Sequence, residues 1–161
     1  MGKKFINHVD HVAWVSKWEN LDANIAHLEA ITGAKLGRFP SDDGTRIVCV
    51  DWSTGLEVVA PMGEPCEGNA ALRGRLESHG EGVVAVIYGV ENLEAHKAKL
   101  EALGYEMGDL MGGTRGEPWS EIVLRERFGP PIMGTWTVFS EIDYDEGLIR
   151  FVDVKEMAPV K

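Results

Sequence analysis

The spacing of apolar residues along the chain switches between a strand period and a helix period, and it makes the same sequence of switches twice. FINHVDHVAWV, from Phe5, is rich in β-branched and aromatic residues and reads as a strand. Leu21, Ile25, Leu28 and Ile31 then recur at helical spacing, with Asn20 as N-cap and Gly33 as the stop. KLGRFP, TRIVCVDW and GLEVVAP follow as three more strands, the last two joined by the turn Ser53-Thr54-Gly55. Together they predict a βαβββ module over about residues 5–62.

The order then returns. GVVAVIYGV reads as a strand, and the helix after it has Asn92 as its cap, Leu93, Leu100 and Leu103 on its apolar face, and Gly104 at its end. YEMGDLMG, TWTVFSEID and GLIRFVDV complete the module, the last two around the turn Tyr144-Asp145-Glu146-Gly147. With one gap, Asn20, Leu21, Ala23, Ala26, Leu28, Glu29 and Ala30 align with Asn92, Leu93, Ala95, Ala98, Leu100, Glu101 and Ala102. The repeat of about seventy residues exceeds the roughly 20–50 of solenoids and propellers, so each copy is a larger supersecondary unit. Two helices with one apolar side need a sheet to cover, which gives an α+β class.

A linker with a short helix, PMGEPCEGN and ALRGRLESHG at residues 63–79, leads into module two at about 80–154. Residues 112–133 read as an insertion in module two, with Gly and Pro at both ends and an apolar centre at Ile122-Val123-Leu124. It is a candidate lid, dimer arm or added strand. A chain of 161 residues with 44% hydrophobic content buries one core, so residues 1–161 are expected to be a single domain.

Charge mainly excludes. A formal net charge of −10 repels a phosphate backbone, and no Lys/Arg cluster interleaved with aromatics offsets it, so nucleic acid is not an expected partner. No apolar run reaches the roughly eighteen residues that cross a bilayer, and MGKKFINHVDHV lacks the apolar stretch of a signal peptide. A cytoplasmic protein without a membrane partner is expected. Cys49 and Cys66 are too few for a disulfide framework and are expected as thiols.

Several residues are candidates for chemistry. Strand alternation places His11 with Val9 and Ala13, and His8 with Asp10 and Val12, so the two histidines face opposite ways. His27 and His96 fall near the polar faces of their helices. His79 and Glu81 flank Gly80 in a turn, and Glu141 and Asp143 share one face of a strand end, where paired carboxylates could share a proton. Trp14, Tyr88, Trp136 and Phe139 lie on predicted strands, in a core or a pocket wall; Trp119 sits in the insertion.

The tandem modules, the opening VDHVAWV, the strand GLEVVAP and the transition HGEGVVAVIYGVEN together resemble the vicinal oxygen chelate superfamily, in its methylmalonyl-CoA epimerase and glyoxalase-like branch, over residues 5–154. The resemblance implies a cup-shaped half-barrel sheet with helices outside. It also implies a divalent metal held by one side chain from the first and last strand of each module. His11 and Glu57 match two of those positions, whereas Ala85 and Arg150 stand at the others. A methyl group donates nothing and a guanidinium repels a cation, so two donors remain where zinc sites use three or four.

A metal-free site is therefore expected, with Arg150 as resident cation beside Glu57 and with His11, Glu57 and Arg150 as the catalytic set. Trp14, Tyr88, Trp119 and Glu141 are the candidate pocket residues. A metal, if bound, would take His11 and Glu57 with His79 or Glu141. The expected activity is proton transfer on a carbonyl, acid or acyl thioester substrate, by an epimerase, isomerase or lyase. The alternatives are a non-catalytic binder of an anionic or aromatic small molecule, and a metal-dependent glyoxalase- or dioxygenase-like enzyme with remapped ligands. Exposed strands and the insertion suit a homodimer.

Overall fold

A computed structural model describes residues 8–111 and 123–142. Its elements are β1 (His8–Val15), a 3-10 turn (Trp18–Asn20), α1 (Leu21–Thr32), β2 (Gly37–Pro40), β3 (Arg46–Asp51), β4 (Leu56–Pro61), α2 (Glu67–His79), β5 (Gly82–Gly89), α3 (Leu93–Ala102), β6 (Leu110–Met111), β7 (Val123–Phe128) and β8 (Trp136–Ile142). All eight strands form one curled sheet in the order β2-β3-β4-β1-β5-β8-β7-β6. In each module the first strand runs parallel to the last, β1 beside β4 and β5 beside β8. The modules meet where β1 and β5 pair antiparallel, with Ala13 opposite Ala85 and His11 opposite Ile87.

Alternation along the strands sorts the side chains into two layers. Val58 and Ala60 of β4, with Ile47 and Cys49 of β3, pack under Leu21 and Ile25 of α1. Val59 instead faces the concave side, where it joins Ala13, Val15, Leu72, Val84, Ala85, Ile87 and Val138. Leu72 comes from α2, so the inter-module helix lies against the inside of the cup. Each fully buried Val or Leu contributes about 1.5–3 kcal/mol, which makes these two layers the main source of stability.

The helix boundaries follow the sequence, although their details differ. Gly33 adopts φ +75° at the end of α1, a left-handed conformation that suits glycine. The Asn92 side chain caps α3 by accepting from the Ala95 N–H at 2.9 Å. Asn20 makes no such cap. A 3-10 turn precedes α1, and the Asn20 amide instead donates to Glu81 at 3.2 Å. Ile31 and Leu103, expected on apolar faces, lie at the far ends of the helical segments and are exposed.

Glu81 ties the halves together. Its carboxylate accepts from the Lys17 N–H, the Ser16 hydroxyl and the amides of Asn20 and Asn24. The turn before β5 is thereby fixed to the start of α1.

Module two departs most from the sequence expectation. The strand β7 lies inside the segment 112–133 set apart as an insertion, and it pairs antiparallel with β8, Glu126 opposite Ser140. TWTVFSEID therefore supplies the strand parallel to β5. The segment GLIRFVDV, the turn 144–147 and Asp143 lie outside the described residues.

Candidate active site

β1 carries a register shift between Val9 and His11: Val9 is opposite Tyr88 and His11 opposite the next residue, Ile87, which leaves Asp10 unpaired. An extra residue of this kind bends the strand and re-aims side chains. Simple alternation had put Asp10 on the face away from His11. With the bulge, Asp10 Oδ2 lies 2.8 Å from His11 Nδ1, and the same carboxylate lies 3.5 Å from His8 Nε2. Gly55 stabilises this stretch from the β3–β4 turn, where its carbonyl accepts from the Val12 N–H at 3.0 Å. It has φ +70°, and a Cβ there would fall 2.7 Å from the Asp10 carbonyl oxygen, so only glycine fits.

On its other side, His11 Nε2 lies 3.1 Å from Glu57 Oε2 of β4. The imidazole is thus held between two carboxylates, and it is only 3% exposed. Burial alone would lower its pKa, but the bonds to Asp10 and Glu57 outweigh that effect and push it up to about 10. The ring is an imidazolium at neutral pH, with an N–H aimed at each carboxylate. Trp52 meets it edge-on, with ring centroids 5.3 Å apart.

His11 and Glu57 face a cavity of about 320 Å³ inside the cup. Its walls are mainly apolar, from Val48, Val59, Leu72, Ile87, Val138 and the rings of Trp52, Phe128 and Trp136; exposed Arg46 also lines it. A further carboxyl group faces the same space, that of Glu126 on β7. Burial pushes the Glu126 carboxyl above its ordinary value, against the hydroxyl of Ser140, which donates to it at 2.6 Å; the Glu57 charge adds to the rise. Sequence reasoning missed Glu126 because its strand had been read as an insertion. The alternation of VLRERF, with Arg125 and Arg127 on one face and Glu126 on the other, was the available signal.

The structure disperses the other expected site residues. Trp14 packs against the α1-side core, and Tyr88 stacks on Phe139. Glu141 accepts from the Leu93 N–H at 3.1 Å and from Arg125 at 2.6 Å, so it serves the start of α3. His79 ends α2 beside the Ser78 hydroxyl. None of these four lines the cavity. His96, expected as a solvated helix residue, packs on Phe139 at 4.4 Å between centroids, and burial lowers its pKa. Trp119 and Arg150 lie outside the described residues.

The strand register identifies the true counterparts in module two. The Ser16 N–H donates to the Val59 carbonyl, and the equivalent bond runs from Val90 to Ser140. His11 then corresponds to Ala85, and Glu57, opposite Ala13, corresponds to Val138, opposite Ile87. The sequence expectation had placed Arg150 at that last position. Both module-two positions are therefore apolar and buried, Ala85 and Val138 alike at 6% exposure. The four-position metal site that the resemblance implies does not fit this chain: two positions offer no lone pair, which leaves two donors where three or four are usual. Among the described residues, no group of three or more His, Cys, Asp or Glu is arranged to hold a metal ion.

The paired modules, the curled eight-stranded sheet and the cavity at its centre define the vicinal oxygen chelate fold. Among solved structures, the hypothetical protein BH1468 from Bacillus halodurans C-125 is similar at TM-score 0.67 and 18% identity, over 86% of this chain and 96% of that one. Methylmalonyl-CoA epimerase from Mycobacterium tuberculosis is similar at TM-score 0.65 and 18% identity, over 91% and 96%. The Streptomyces coelicolor methylmalonyl-CoA epimerase in complex with 2-nitronate-propionyl-CoA is similar at TM-score 0.62 and 19% identity, over 85% and 95%. At such identities the likeness is one of fold. No protein-family model and no curated protein sequence matches the chain. Among the described residues, no helix is long and apolar enough to cross a membrane.

Proposed function

We propose that the chain is an enzyme that moves a proton at a carbon next to a carbonyl group, as an epimerase, isomerase or lyase of a small molecule. One observation carries this reading: a buried imidazolium, fixed by Asp10 and Glu57, faces the same cavity as Glu126. Loss of such a proton needs a placed base and a positive pole for the enolate oxygen. Glu126 is the base in this reading. Burial raises its proton affinity toward the working range, which favours a group that must both take and return a proton.

His11 is the positive pole, acting through its charge rather than a hydrogen bond, since both its N–H groups point at carboxylates. Glu126 takes the proton from carbon, and the electron pair moves onto the carbonyl oxygen near His11. Glu57 and Glu126 come from different modules, so the two carboxylates reach the substrate from the two halves of the cup. Return of the proton by Glu126 to a neighbouring carbon would give an isomer; an epimer needs a different proton, passed from the His11 N–H through Glu57 to the opposite face, after which solvent reprotonates His11 and deprotonates Glu126. Methylmalonyl-CoA epimerases of similar structure are seen in complex with 2-nitronate-propionyl-CoA and with methylmalonyl-CoA, which supports an acyl group as one candidate substrate.

The test is deuterium uptake at the α-carbon of a panel of ketones and acyl thioesters in heavy water, followed by NMR. Catalysed uptake that is lost in Glu126→Gln is expected. Ligands that bind tightly and are recovered without deuterium would refute the enzyme and leave a binding protein.

A further inference from the structure

The depth of the cavity has an unusual charge. Asp10 and Glu57 are two carboxylates; His11 lies between them, and His8, 3.5 Å from Asp10, is the other basic side chain beside them among the described residues. Glu126 adds either nothing or another negative charge. With both rings charged these groups sum to zero at most, and with either ring neutral the balance is negative, so no arrangement leaves a spare positive charge for an anion. Arg46, the other cation lining the cavity, is exposed. The positions that a dication would occupy through its ligands are filled in module two by Ala85 and Val138, which add neither charge nor hydrogen bond.

A carboxylate or phosphate placed here would bring a negative charge to buried carboxylates whose only positive partners among the described residues are already engaged by them. A neutral carbonyl compound adds none. When Glu126 removes its proton, a negative charge moves from the carboxylate to the enolate oxygen and the total stays constant. The walls offer the rest of such a molecule apolar and aromatic surface, Trp52, Phe128 and Trp136 among them.

We infer that the cavity selects substrates whose buried, reacting end is an uncharged carbonyl on an apolar body, and that it rejects carboxylates at that end. The inference rests on the reading that this cavity is the reaction site, and it deepens that reading by naming the substrate class. An ammonium group is the competing ligand that the same negative charge would favour. Its buried end would gain attraction but forfeit its hydration in a mainly apolar space, and it has no acidic carbon for Glu126 to work on.

The test is a matched trio of probes measured by titration calorimetry at neutral pH: benzylacetone, hydrocinnamate and phenylpropylamine, which share a phenyl body and differ in the charge of the other end. The protein carries Arg46→Met in all titrations, so that the carboxylate is not captured at Arg46 with the probe reversed. Benzylacetone is expected to bind about tenfold or more tighter than hydrocinnamate, and tighter than the amine. In the additional variant Glu57→Gln the gap between ketone and carboxylate should narrow. The proposal falls if hydrocinnamate or phenylpropylamine binds as tightly as benzylacetone, if Glu57→Gln leaves the gap unchanged, or if none of the three binds at millimolar concentration. The ketone preference without deuterium uptake would sink the enzymatic reading and keep this one; uptake confined to carboxylates would do the reverse.

Discussion

Raising the pH should strip stability from this protein through His11. In the folded state its imidazole is held protonated to about 10, against 6.5 for the free group. A pKa raised by folding stabilises the fold fully below the unfolded value, and that stability is lost as pH rises through the folded one. The window is therefore about 6.5 to about 10. A gap of that width corresponds to something on the order of 5 kcal/mol, a large share of the 5–15 kcal/mol that holds a typical domain folded.

Urea unfolding followed by circular dichroism, at pH steps across that window, compares the wild type with His11→Gln. The wild type should lose stability steadily, with a slope approaching one proton released per molecule unfolded, while the variant starts lower and stays flatter. NMR of the imidazole provides the direct check, since the ring should stay protonated well above neutral pH. Parallel stability curves for the two proteins, or an imidazole that titrates near the free value, would refute the carboxylate clamp.

Glu126→Gln should cut α-proton exchange by about a hundredfold or more. It should also remove a fall in stability with rising pH, because a buried carboxyl with a raised pKa costs stability when it ionises; denaturation at mildly acidic and alkaline pH checks this. Gly55→Ala should lower stability by about 1–3 kcal/mol or more, read as a reduced melting temperature, since the position combines a positive φ with a 2.7 Å approach to the Asp10 carbonyl. Glu81→Ala should cost about 0.5–1.5 kcal/mol in urea unfolding, because the Lys17 N–H and the amides of Asn20 and Asn24 exchange this acceptor for water, while α-proton exchange keeps its rate.

The doubled pattern of apolar residues was enough to read the architecture, because strand and helix periods are set by which face each element buries. His11 and Glu57 were legible as a facing pair through the resemblance, and Ala85 as the silent counterpart of His11. Three features were not legible, each for a physical reason. Asp10 reaches His11 only through a bulge, which shifts the side-chain phase by one residue and leaves no mark in local composition. Glu126 was hidden because the Gly- and Pro-rich flanks of its strand look like loop. The same misreading moved the counterpart of Glu57 to Arg150 instead of Val138, since matching GLIRF to the last strand of the resemblance cannot tell which strand lies beside β5.

The joint between β1 and β5 is made of main-chain hydrogen bonds, which every residue but proline supplies. Those bonds persist whichever side chains face the cavity, so the joint between the modules and the reactivity of the cup are separable properties. Ala85→His with Val138→Glu would place an imidazole and a carboxylate in module two, related to His11 and Glu57 by the internal symmetry of the sheet. Two point changes thus separate this cup from a candidate host for a transition metal, which makes the chain a convenient starting point for building one.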